Sequence, residues 1–257
     1  MKSTTLFILI FTMCHIPVLY SQDAKEISEK SLELTRVDAM EMISTLTIMD
    51  AKGNERVRQT TTASKKFGET TKIITKFISP ADVKGTGLLV YDHKNQDDDM
   101  WIYLPALRKT RRIVSSEKGK SFMGSEFSNA DMSAPKLDDY NYKILGETIY
   151  EDKNCWQIEA TSVNDQVADD LGFSKKVSYV DKAGYFTYKN IFYDFDDEIF
   201  KEILLRDYEE IDDGKYMVRQ MEAINLQNDR KSVMTIDKLQ KGSDLTENSF
   251  TPAALEK

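Results

Sequence analysis

Gly119-Lys120-Ser121 are the residue types that close a phosphate-binding loop, where backbone N–H groups cradle a nucleotide. That loop also needs a glycine five residues before Gly119, and position 114 is Val. It needs a strand before it and a helix after it within a βαβ unit, whereas the flanking chain has the punctuation of hairpins, so the triplet is a decoy. Nucleophilic catalysis is no better supplied. There is no Gly-x-Ser-x-Gly elbow. With His15 assigned to a leader, His93 is the one remaining imidazole, in the turn-like setting Asp92-His93-Lys94-Asn95. Cys155, beside Trp156, reads as a small buried apolar group. One Cys and one His cannot build a nitrogen–sulfur zinc or iron site. The acidic runs Asp97–Asp99, Asp194–Glu198 and Glu209–Asp213 lack the register of a calcium loop and fall where turns are expected. The expectation is therefore no catalytic residue, no metal and no cofactor.

Two segments remain with chemistry to offer. Met100–Ile113 reads as a strand, a turn at Pro105-Ala106, and a second strand opening on Arg108, Lys109, Arg111 and Arg112. It is either a polar hairpin tip or a rim of guanidinium groups suited to phosphate or carboxylate heads. Ser115–Asp138 shows no strand and at most one helical turn near Ser128–Met132, yet it carries Phe122, Met123, Phe127 and Met132. Loops of this length are uncommon and often functional. Either this one folds back onto the core, or it is a flap over an apolar site.

The elements that would position these residues are mostly strands. Lys25 to about Met42 has helical periodicity, with Ile27, Leu34 and Val37 on one stripe. From Ile43 to Leu239, short apolar or alternating runs are broken by turn clusters such as Asp50–Asn54, Glu151–Asn154, Asp181–Gly184 and Asp212–Gly214. Trp156, Ile158 and Ala160 alternate with Gln157, Glu159 and Thr161. About ten antiparallel strands are expected, in one large sheet or barrel. Phe186, Tyr188 and Phe192 should share one strand face, opposite Ile191 and Tyr193. Bulky groups on both faces imply a sheet covered on each side or curled around a cavity. Ser79-Pro80-Ala81-Asp82 and Thr251-Pro252 offer starts for two short helices.

Composition sets the compartment. Lys2 precedes an apolar run at Leu6–Met13, and Leu19-Tyr20-Ser21 offers a cleavage site, which is the pattern of a secretory leader over 1–21. The remaining 22–257 carries 34 basic and 43 acidic residues and reads as one domain. A net negative chain argues against nucleic acid. With Cys155 alone after the leader there is no internal disulfide, and no Asn-x-Ser/Thr site occurs, so bacterial export to a periplasm fits best.

Trp101–Ile113, followed by Ser121-Phe-Met-Gly-Ser-Glu-Phe-Ser-Asn-Ala-Asp131, resembles the outer-membrane lipoprotein-sorting proteins, relatives of the LolA and LolB carriers. Phe250-Thr-Pro252 with Leu255 resembles that family's end. The resemblance implies an α+β fold, mainly antiparallel: an unclosed half β-barrel of ten to eleven strands around a few helices. It implies a non-enzymatic periplasmic carrier of acyl chains, from lipid or lipoprotein, associated with an inner-membrane exporter of the RND type. A monomer is the expected working unit. The alternative is a subunit or sensor that docks on a transporter or signalling partner through the same groove. Trp101, Tyr103, Phe122, Met123 and Phe127 are the candidates for the apolar wall and flap, and Arg111 and Arg112 for the headgroup rim.

Overall fold

The computed structural model describes residues 17–94 and 96–256. The expected leader lies outside the described residues as far as residue 16. A helix, α1, then runs over Pro17–Leu34.

The helix ends earlier than its periodicity predicts. The Thr35 hydroxyl turns back onto the Leu32 carbonyl at 3.1 Å, and strand β1 begins at Ala39. Met40 and Met42, read from the sequence as helical, alternate with Glu41 and Ile43 instead. Sheet pairing on both sides overrides the weak helical preference here.

Strands β1 (Ala39–Met49), β2 (Glu55–Phe67), β3 (Thr70–Ser79), β4 (Gly87–His93), β5 (Asp99–Leu104) and β6 (Lys109–Ile113) form one meander. After a long loop come β7 (Tyr140–Tyr150), β8 (Lys153–Ser162), β9 (Lys175–Asp181) and β10 (Thr187–Tyr193). The run finishes with β11 (Ile199–Asp212), β12 (Lys215–Asn225) and β13 (Arg230–Lys241). All thirteen join one antiparallel sheet, and β13 pairs with β1 so that the two meanders fuse at the centre. The edges are β6 and β7, which do not pair, so the barrel is unclosed. Thirteen strands exceed the ten or eleven expected.

Irregular pairing bends the sheet. Register breaks lie at Ile43/Ser44, Ile144/Gly146, Thr187/Lys189 and Glu210/Asp212, each adding local twist. The break at Thr187/Lys189 separates residues expected to share a face. Tyr188 packs with Phe186 and Tyr208, while Phe192 enters the main core. Ser79–Pro80 begins a turn rather than a helix: the Lys84 N–H reaches the Pro80 carbonyl, and Gly85, at φ +85°, returns the chain to Phe77. Asp165–Leu171 is a helix, α2, that the strand pattern concealed; Asn164 caps its start and Gly172 its end.

Both faces of the β2–β5 half of the sheet are covered. The inner face carries the main core, built on Leu46, Phe77, Met100, Phe122, Phe127 and Ile158 with Ala24 and Ile27 of α1. On the outer face of β2–β5 a second cluster of Ala63, Ile74, Leu89, Phe250 and Leu255 seats the C-terminal segment.

Candidate functional site

The 114–139 loop lies against the inner face as a plug. It begins where β6 ends, and its backbone turns sharply at Met123 (φ +53°) and Gly124 (φ +77°). The Phe122 N–H donates to the Phe127 carbonyl at 2.8 Å, and the Ser125 hydroxyl donates to the Phe122 carbonyl at 2.7 Å. This small closed loop drives both phenyl rings into the core, with Phe122 5.9 Å from Phe77. Polar side chains of distant strands hold it there. Arg58 of β2 donates to the Met123 carbonyl, and the Ser232 hydroxyl of β13 accepts from the Glu126 N–H at 2.9 Å. Arg230 pairs with Glu126 at 2.9 Å, and Lys201 of β11 with Asp131 at 3.2 Å. Lys136 closes the far end between Asp92 and Asp98, each at 2.6 Å.

Gly119 belongs to this architecture rather than to a nucleotide site. Its N–H donates to the Asp170 carbonyl at 2.8 Å, and a Cβ there would stand 2.5 Å from the Leu171 carbonyl oxygen. The glycine is needed for the loop backbone to approach the end of α2.

Between the plug, α1 and the inner face of β1–β4 a cavity of about 940 Å³ remains. Val37, Met40, Ile73, Met132 and Ala134 give it apolar wall. Its rim is charged but internally paired: Glu33 with Lys215 and Asp212 with Lys241, both at 2.6 Å, and Glu69 with Lys94 at 3.9 Å. The Lys215 hydrogen bond holds the Glu33 carboxyl below its ordinary value, and the bond from Lys241 does the same for Asp212. One wall residue, Asp131, connects the cavity to the ion pairs behind the plug.

A second, outer groove of about 720 Å³ lies where the C-terminal segment crosses β13, β1, β2 and β3. Ile43, Ala63, Ile74, Leu245 and Ala254 line it. Lys65 donates to the carbonyls of Ser243 and Leu245 at 2.7 and 3.0 Å, and Lys76 to that of Ala254 at 2.7 Å, holding the segment down.

The five apolar candidates do not share one surface. Phe122, Met123 and Phe127 belong to the plug and the inner core, whereas Trp101 and Tyr103 point outward into the C-terminal cluster. Arg111 and Arg112 also diverge, as adjacent residues of one strand must. Arg111 pairs with Glu117 at 2.7 Å and Arg112 with Asp99. Neither lines the cavity. The cavity walls Met40 and Ile73 escaped the sequence reading because the first was assigned to a helix and the second sits in a strand rich in Thr and Lys. Met132 was visible as one of the loop's unexpected apolar groups.

Neither His93 nor Cys155 lines either hollow. His93 bonds Thr70 at 2.9 Å and Asp99 at 3.3 Å, and Cys155 is buried with its thiol pushed up by burial. Among the described residues no group of three His, Cys, Asp or Glu side chains is placed to hold a metal. Among them, too, no helix is long and apolar enough to cross a membrane.

Known proteins share this architecture. An outer-membrane lipoprotein-sorting protein domain from Vibrio parahaemolyticus superposes with a TM-score of 0.85 at 26% identity, covering 92% of this chain and 100% of that one. A DUF1329 family protein from Desulfovibrio piger gives 0.84 at 28%, covering 92% and 99%. A LolA superfamily protein from Nitrosomonas europaea gives 0.70 at 20%, covering 89% and 97%, a likeness of fold. A comparison with curated proteins gave no match. Residues 69–257 match a family model whose description reads "Uncharacterized protein". The chain therefore belongs to that family, and it resembles the outer-membrane lipoprotein-sorting proteins in sequence and fold, on the LolA-like open barrel.

Proposed function

We propose that this protein is a non-enzymatic carrier that shields an acyl chain of a lipid or lipoprotein inside the open barrel and passes it between membranes. The observation that carries the reading is the inner cavity: about 940 Å³, apolar along Met40, Ile73 and Met132, and ringed by charges that already satisfy one another. Its size lies within the range of small-molecule sites, roughly 300–1,000 Å³. Sequestering a chain there needs no catalytic group; each buried methylene contributes about 0.8 kcal/mol. The internally paired rim leaves little net field at the mouth, as suits an apolar guest. Phe122, Met123 and Phe127 anchor the plug in the core, and Trp101 and Tyr103 pack on the outer face beneath the C-terminal segment.

The N-terminal leader supports export to a bacterial periplasm, with 22–257 as one working domain that acts as a monomer. An inner-membrane exporter of the RND type is the partner we assign. The test is native mass spectrometry of the protein isolated gently from a bacterial periplasm, before and after organic extraction. Stoichiometric acyl lipid that disappears on extraction supports the carrier. A bare mass that stays unchanged after incubation with phospholipids, lipopeptides and fatty acids contradicts it, and a docking subunit then becomes the better reading.

A further inference from the structure

Behind the plug, one row of the inner face gathers basic side chains among apolar neighbours. Lys176 on β9 pairs across to Ala160 on β8 and Phe192 on β10, both buried core residues. A residue in that row points inward, and its ammonium lies 5.0 Å from the centroid of the Tyr140 ring. Beyond Phe192 comes Lys201 on β11, whose ammonium lies 4.4 Å from the Phe192 ring and 3.2 Å from Asp131. The row ends at Arg230 on β13, which Glu126 neutralises. Three cations thus meet two carboxylates. Among the described residues Lys176 makes no ion pair; the charges that bear on it are Asp131 on the plug and Lys201, a like charge. Burial, with Lys201 adding to it, pushes its ammonium down to about 8.

Lys176 is half-buried there, and holding an ammonium partly out of water without a counter-ion is costly. Asp131, the carboxylate whose charge bears on Lys176, is also a wall of the inner cavity. An anion entering beside Asp131 would bring the count of acids level with that of bases. We propose that Lys176, with Lys201 and Asp131, forms an internal anion site that receives the ionised oxyacid head of the acyl ligand, a carboxylate or a phosphate ester. This rests on the carrier reading and adds an orientation to it: the charged head goes inward beside Asp131, and the tail lies along the Met40–Ile73–Met132 wall. The paired rim agrees with this direction, since it offers no spare cation to hold a head outside.

The test compares palmitate, hexadecyl phosphate and hexadecanol as competitors of a fluorescent acyl probe on the purified protein at pH 7. In the wild type at least one anion should bind about tenfold more tightly than the alcohol, about 1.4 kcal/mol, and the stronger of the two identifies the head. Lys176→Met should abolish that preference by weakening the anions while leaving hexadecanol within about twofold, and Lys176→Arg should retain it. Should Lys176→Met fail to fold, NMR of ¹³C-methylated lysines in the wild type decides. The Lys176 signal, identified by its absence from Lys176→Arg, should titrate at higher pH when the preferred anion is saturating. Equal binding of all three ligands, a preference that survives Lys176→Met, or an unmoved titration overturns the anion site while the carrier stands. If none of the three binds, the carrier reading falls and takes the anion site with it.

Discussion

Phe122 and Phe195 are the same residue type in opposite circumstances. Phe122 is 1% exposed within the plug, while Phe195 is 60% exposed at the turn between β10 and β11. Phe122→Ala should cost about 3–5 kcal/mol in urea unfolding, and Phe195→Ala should stay within about 0.5 kcal/mol. Equal effects would mean that the plug does not belong to the core. Lys176 makes a second prediction at this scale. Its folded value of about 8 lies below the ordinary 10.5, so above pH 8 the unfolded chain binds the proton that the folded chain has released. Stability tied to this group therefore rises with pH between those values. The groups facing it are Lys201, Asp131 and the Tyr140 phenol, which burial keeps protonated beyond this window. Unfolding curves at pH 7.5 and 10 should show the wild type gaining on Lys176→Met; parallel behaviour would contradict the assignment. The inward place of Lys176 was not readable beforehand. Lys175-Lys176-Val177 looks like any solvated pair of lysines until pairing with Ala160 and Phe192 fixes which one points inward.

The plug loop and the C-terminal segment are the two elements that turn a bare sheet into a container. Gly119→Ala drives a methyl group into the backbone of Leu171, where no flexible side chain can yield. It should destabilise by about 1–3 kcal/mol and, read by hydrogen exchange, loosen the contact between the loop and α2. A neutral result would mean that the close approach is dispensable. Leu255, 1% exposed, packs over Gly87 and closes the outer cluster. Leu255→Ala should cost about 2–5 kcal/mol. Readability at this scale followed local chemistry. Hairpins announced by Asp-Gly-type turns are where expected, and the long segment after Ser115 is indeed without strands. The end of α1 was misplaced because Met40 and Met42 suit a helix as well as a strand, and pairing with β13 decides it. The Trp101–Arg112 hairpin was found as a hairpin. Its two faces could not be told apart, because alternation sends Trp101 and Ile102 to opposite sides and the phase is set only by the neighbouring strand.

At the scale of the whole molecule, the curled sheet separates two hollows: an inner cavity guarded by paired charges, and an outer groove held shut by lysines on backbone carbonyls. The overall negative charge gives the protein no general attraction to anionic membrane surfaces. Raising ionic strength should leave acyl binding within about twofold, since methylene burial supplies the affinity and salt screens only the exposed rim pairs. A steep loss of binding with salt would instead assign the ligand to surface charge. Which hollow holds the chain decides the account. The direct measurement is photocrosslinking with a fatty acid carrying a diazirine near the middle of its chain, mapped by peptide mass spectrometry. Labelling of Met40, Ile73 and Met132 is predicted; labelling confined to Ile43, Leu245 and Ala254 would contradict it and place the ligand in the outer groove.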